Sequence, residues 1–224
     1  MGDIVEIKSV AGTANGYLAL PDGGQGPGIL LLHAWWGLTP FFKSLADRLA
    51  AEGFTVLATD LYDGRTADTI EGATELMERL NAREGIEHVI GGLDYLLAHS
   101  AVYEDDIGAI GFSLGAGYAT WLSKLRPEVK ALVLFYGGSE EDADFAKQTN
   151  ADILGHFAEH DEYESLDMAR ELEAALRAEG KEANFFLYPG TGHWFFEDNR
   201  PEYDPECAQL AWERTLEFLK DKLS

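Results

Sequence analysis

Six short apolar runs, at 29–32, 54–58, 107–111, 131–135, 153–157 and 184–188, recur along the chain with longer periodic stretches between them. The runs are continuous rather than alternating, as strands covered on both faces must be. The stretches between them carry helical spacing. Ile86, Val89, Ile90, Leu93 and Leu97 recur at threes and fours, and so do Leu166, Ala169, Leu172 and Leu176. Ser165 is placed to cap the second of these helices and Gly180 to stop it. Asp204-Pro205 opens a last helix, with an acid at the cap and a proline at the first helical position, where the missing N–H does no harm. Strand–helix alternation with right-handed crossovers specifies an α/β fold: a mainly parallel central sheet with helices on both faces.

The first residues follow another rule. Segments 4–8 and 17–20 flank a turn-rich stretch containing Gly12 and Asn15-Gly16, which reads as an N-terminal antiparallel hairpin. Pro21-Asp22-Gly23-Gly24 then breaks the chain. No repeat, low-complexity tract or linker divides the 224 residues, so one domain over 1–224 is expected. A chain of this length can bury a full core.

Forty acids against 17 bases leave a formal charge of −23. A surface that negative repels polyanions, which excludes nucleic acid and anionic lipid as main partners. Cys207 is the only cysteine and falls in the last helical pattern, so no internal disulfide forms. That fits a reducing compartment. The opening MGDIVEIKSV has no apolar core of signal-peptide type. The most apolar stretch, 29–38, is interrupted by His33 and is too short to span a bilayer. The expected location is cytoplasmic, with no membrane partner.

Gly111-Phe112-Ser113-Leu114-Gly115 carries the chemistry. It matches G-x-S-x-G, with an apolar run before it and a helical pattern from Leu114 to Leu125 after it. A serine thrust out on a sharp strand-to-helix turn crowds the residues two before and two after, so these must be small. Ser113 then sits at a helix N-terminus, where free N–H groups favour developing negative charge. A dinucleotide loop does not fit, because the third glycine position after Gly115-Ala116-Gly117 is Thr120 and no phosphate-binding lysine is present.

A serine hydroxyl needs a histidine to take its proton, and the histidine needs an acid to hold its tautomer. With this elbow the order along the chain is Ser, acid, His. His33, His88 and His99 precede the serine, and His156 and His160 leave no room for an intervening acid. His193 remains, in the turn-rich stretch Tyr188-Pro189-Gly190-Thr191-Gly192-His193. Asp161, just beyond the run at 153–157, is the expected acid; Glu159 and Asp167 are its rivals. The oxyanion hole is expected from the backbone N–H of Leu114 and of Trp35, which follows the first parallel strand in His33-Ala34-Trp35-Trp36-Gly37. Trp36, Phe112, Trp194 and Phe195 flank these pieces and are candidates for an apolar substrate pocket.

Together these motifs resemble the dienelactone hydrolase family, within the α/β-hydrolase superfamily, over nearly the whole chain. The resemblance is carried by LLHAWWGLTP, ATDLYDG, GFSLGAG, AEHDEY, YPGTGHWFF and RPEYDPECAQLAWERTLEFL. It implies the α/β-hydrolase fold and a monomeric or weakly associating hydrolase that acts without cofactor or metal on small esters or lactones. It also exposes departures. The dienelactone-cleaving enzymes place cysteine at the elbow, where this chain has Ser113. They carry a glutamate in the oxyanion loop, where this chain has Ala34. They hold the substrate carboxylate with arginines, one of them four residues after the histidine, where this chain has Glu197, a residue expected to repel an anion. Arg65 is a candidate for the other. The expected activity is therefore a serine carboxylesterase acting on neutral esters. The alternatives are a carboxymethylenebutenolidase proper, an amidase or peptidase using the same triad, and a non-catalytic binding protein on the same fold. His156-Phe157-Ala158-Glu159-His160 matches the zinc-protease pattern H-x-x-E-H, but it starts in an apolar strand, where the two histidines would not converge.

Overall fold

The computed structural model describes residues 1–138 and 143–223, which form two compact units, 1–110 and 111–224. The first unit contains β1 (Asp3–Ser9), β2 (Gly12–Ala19), β3 (Gly26–Leu32), α1 (Pro40–Ala51), β4 (Thr55–Thr59), α2 (Ile70–Arg79) and α3 (Ala82–Ala98). Strand β5 (Val102–Phe112) passes from the first unit into the second. The strand order is β1-β2-β4-β3-β5, with β3 and β4 parallel and β2 antiparallel to both β1 and β4. Helix α1 packs against β4 and β2, and α3 against β1, β3 and β4. Ile86, Val89 and Leu93 of the expected periodic set are buried on α3.

The hairpin is tighter than its sequence reads. Pairing runs out to Ser9 opposite Gly12, so the turn is at residues 10–11. Asn15 and Gly16 lie inside β2, opposite Glu6 and Val5. An Asn-Gly pair marks a turn only when nothing longer competes, and here seven cross-strand pairs do.

The second unit contains α4 (Leu114–Leu125), β6 (Val129–Phe135), α5 (Ala143–Gln148), β7 (Asp152–His160), α6 (Leu166–Ala178), β8 (Ala183–Gly192) and α7 (Pro205–Lys222). Its strands follow in the order β5-β6-β7-β8, with β6, β7 and β8 parallel. Helix α4 packs on β6, α6 on β8, and α7 on β6 and β7. The caps are where the sequence places them. Ser165 Oγ accepts from Met168 N–H, and Asp204 Oδ1 accepts from Glu206 and Cys207 N–H. Residues 189–192 read as loop in the sequence but extend β8, because after an irregularity near Ala158 the register resumes with His160 opposite Gly192. Among the described residues no helix is long and apolar enough to cross a membrane.

His156 ties this unit together from inside. Its ring is buried in β7, 2.8 Å from Tyr188 Oη on β8 and 3.0 Å from Thr215 Oγ1 on α7. Burial, aided by the Arg214 charge, pushes its pKa down to about 3. A folded-state pKa below the free value means stability that is full above about pH 6.5 and drains away as pH falls towards 3. Thermal melts from pH 7 to pH 4 should therefore show a falling Tm. The fall should be shallower in His156→Gln, which has no ring to charge, and equal slopes would remove His156 as a source of the acid sensitivity.

Candidate active site

The first residue beyond each of four successive strands belongs to one cluster. Ser113 follows β5, Tyr136 follows β6, Asp161 follows β7 and His193 follows β8. Because β7 and β8 pair up to His160 opposite Gly192, Asp161 and His193 leave the sheet as neighbours.

Ser113 stands in a backbone conformation that side chains rarely adopt, at φ 50° and ψ −112°. The turn is closed by Ser113 N–H donating to Phe135 O at 2.9 Å and by Ser113 O accepting from Ala116 N–H at 2.9 Å. A Cβ on Gly111 would lie 2.5 Å from Ala116 Cα, and one on Gly137 would lie 2.6 Å from Ser113 O. Both positions must therefore be glycine for strand, serine and helix to come this close. Leu114 is the first residue of α4, so its N–H has no carbonyl a turn earlier within the helix.

His193 Nε2 lies 3.0 Å from Ser113 Oγ. On the other side of the ring, Nδ1 lies 2.7 and 2.9 Å from the two oxygens of Asp161. Asp161 Oδ1 also accepts from Tyr163 and Glu164 N–H, at 2.9 and 3.0 Å, so the carboxylate is fixed by its own turn. The rivals are engaged elsewhere: Glu159 Oε2 accepts from Gly190 N–H, and Asp167 pairs with Arg170 on α6. His156 and His160 separate as well, the first inside the core and the second exposed beside Glu159. The imidazole of His193 is flanked by three rings, Tyr136 at 4.8 Å, Trp194 at 4.9 Å and Tyr163 at 5.0 Å between centroids.

The remaining expected residues divide. Trp194 is buried against Tyr163, which is half exposed. Phe112 and Phe195 are completely buried, Phe112 stacked on Phe135 at 4.4 Å and Phe195 against Tyr188 at 4.8 Å. Those two rings are core and present no surface to a ligand. Trp35 and Trp36 belong to the first unit, in the turn after β3, with their rings edge-on at 5.3 Å and Trp36 buried.

Glu197 is the largest departure from expectation. It does not face a substrate, since the turn after His193 carries it inward until it is fully buried. Tyr136 Oη donates to its Oε1 at 2.9 Å, and Arg200 Nε lies 4.0 Å from Oε2. Burial pushes the Glu197 carboxyl up to about 8 against the opposing pull of Tyr136 and Arg200. Tyr136, also fully buried, is pushed well above its usual value by burial and then by the Glu197 charge. No motif flagged Tyr136, although it occupies the same place relative to its strand as Asp161.

The fold that positions these residues is the α/β-hydrolase fold. A Klebsiella pneumoniae protein provisionally titled a dienelactone hydrolase shares it with a TM-score of 0.87 at 24% identity, each chain covered over 98% of its length. At the sequence level the dienelactone hydrolase family profile matches residues 14–223, and the chain belongs to that family of hydrolases. Protein usf of Aquifex pyrophilus is 31% identical over all of both chains. An Aquifex aeolicus relative provisionally named a carboxymethylenebutenolidase is 29% identical, again over all of both chains.

The raised Glu197 carboxyl has a measurable consequence. It binds its proton more tightly in the folded state, so its contribution to stability is full below about pH 4.5 and is lost as pH rises through about 8. Differential scanning calorimetry should show Tm declining from pH 7 to pH 8.5, with a smaller decline in Glu197→Gln. An unchanged pH slope in that variant would show that the carboxyl is not held in its neutral form.

Proposed function

We propose that this chain is a serine carboxylesterase that hydrolyses small neutral esters or lactones through an acyl-enzyme, with Ser113 as nucleophile, His193 as general base and Asp161 as the residue that orients it. The observation that carries the reading is the continuous line from Asp161 through both ring nitrogens of His193 to Ser113 Oγ, each link at 3.0 Å or less. Asp161 accepts the Nδ1–H and leaves Nε2 with a lone pair facing the hydroxyl. Ser113 attacks the ester carbonyl as Nε2 takes its proton. The Leu114 N–H, at the positive end of α4, faces the charge that develops on the carbonyl oxygen. His193 then returns the proton to the leaving alcohol, and water repeats the sequence to free the acid.

Membership of the family supports hydrolysis of a carbonyl bond, and the preference for neutral substrates rests on residues that differ. Ser113 stands where the resemblance implies a cysteine. The place of a carboxylate-binding arginine is taken by Glu197, whose side chain is withdrawn into the core. Nothing at that position would hold a substrate anion.

A fluorophosphonate probe should label the protein once, at Ser113, and Ser113→Ala and His193→Ala should abolish turnover of p-nitrophenyl esters. Asp161→Asn should lose on the order of 10⁴ in kcat. Across a substrate panel, neutral short-chain esters and lactones should be cleaved faster than a dienelactone carboxylate. Full turnover in Ser113→Ala would sink the triad, and a dominant rate on the anionic dienelactone would replace the substrate class.

A further inference from the structure

The cluster holds two buried groups that the proposed reaction does not use, Tyr136 and Glu197. Both lie in the second unit, and neither reaches bulk water. Tyr136 is held from two sides. Its N–H donates to His156 O on β7 at 2.8 Å, and its hydroxyl donates to Glu197 Oε1 at 2.9 Å. It keeps a φ of 36°, a conformation disfavoured for any side chain with a Cβ, by on the order of 1 kcal/mol or more. Such a conformation persists only where surrounding contacts over-determine it. Glu197 supplies one of them and is itself locked in the turn that follows the histidine: its N–H donates to Trp194 O and its carbonyl accepts from Arg200 N–H.

The ring fixed in this way lies against the imidazole, with centroids 4.8 Å apart and planes inclined by 56°. Tyr163, flanking His193 at 5.0 Å, is half exposed, whereas Tyr136 is fully buried. Asp161 and Ser113 define the line on which the imidazole works but do not stop it from rocking about that line; a rigid ring against its flank does.

Building on the triad reading, we propose that Glu197 is a positioning residue: by accepting the Tyr136 hydroxyl it clamps the tyrosine ring against His193 and holds the base in line with Ser113. The clamp spans two strand ends, since Tyr136 follows β6 and Glu197 belongs to the turn after β8. It therefore ties the strand next to the serine to the loop that carries the base. It needs a hydrogen-bond acceptor at 197 and a donor at 136, and it needs no contact with substrate.

The test is steady-state kinetics on a p-nitrophenyl ester with fluorophosphonate inactivation rates alongside, on the full chain, with melting curves to show folding. Glu197→Leu, which removes the acceptor, should lower both kcat and the inactivation rate about tenfold to a hundredfold with KM within about twofold, because a displaced base slows chemistry. Glu197→Gln keeps an acceptor and should recover most of that loss. Tyr136→Phe keeps the ring and removes only the donor, so it should resemble Glu197→Leu. The double variant should be no worse than either single, since both break one contact. If Glu197→Leu does not fold, Glu197→Gln and Tyr136→Phe carry the test: the first should lose little and the second much. The positioning role is overturned by wild-type kcat in Tyr136→Phe or in folded Glu197→Leu, by a Gln variant as damaged as Leu, or by losses that multiply in the double variant. Ser113→Ala, run in parallel, separates the two ideas. An inert Ser113→Ala with an unimpaired Tyr136→Phe removes the clamp alone, and an active Ser113→Ala removes the triad and the clamp together.

Discussion

Ser113 can occupy its turn only because two neighbours lack a Cβ. Gly111 lets the end of β5 run into the first turn of α4, and Gly137 lets the chain leaving β6 pass against the serine backbone. A side chain at either position would overlap main-chain atoms, which cannot swing away as a flexible side chain can. The turn in turn sets the direction of the hydroxyl and leaves the first N–H of α4 beside it. The strain at 113 is local, and the two hydrogen bonds that close the turn are with the adjacent strand and helix. Chemistry at this site therefore depends on a steric vacancy at two positions before it depends on any functional group.

The second constraint is register. Side chains that follow four neighbouring strands meet in one cluster, and what brings Asp161 to His193 is the pairing of His160 with Gly192. A slip of one residue between β7 and β8 would send Asp161 to the opposite face from His193, since side chains alternate along strands. The hydrogen bonds from Asp161 to its own turn fix the carboxylate after the register has delivered it. The site is thus assembled by sheet geometry and only finished by polar contacts.

These two constraints explain what was legible in the chain. The apolar runs at 107–111, 131–135, 153–157 and 184–188 all became strands, and helix caps at Ser165 and Asp204 fell where local chemistry places them. Local rules of that kind depend on a few neighbouring residues and survive folding. Ser113 was visible because its glycines are a sequence pattern, and His193 because chain order left no other histidine. Tertiary facts were not visible. Residues 189–192 look like loop, with Pro189 and two glycines, yet they continue β8 because an edge strand tolerates them and β7 offers a partner. Phe112 and Phe195 sit next in sequence to Ser113 and near His193 but are buried in the core, which only the folded chain determines. Tyr136 carries no motif at all, and its membership of the cluster becomes apparent only once strand order is known.

Position 197 makes the same point for charge. On a chain with a formal charge of −23, one more glutamate reads as one more solvated acid, and a comparison by motif reads it as a swap of cation for anion facing the substrate. Burial changes its chemistry. With its carboxyl pushed up to about 8, the side chain is mostly neutral at pH 7 and works as a hydrogen-bond partner rather than as a charge. Desolvation removes the charge while keeping the acceptor that Tyr136 requires. The turn after β8 closes inward, with Glu197 N–H donating to Trp194 O, and takes the carboxyl out of water.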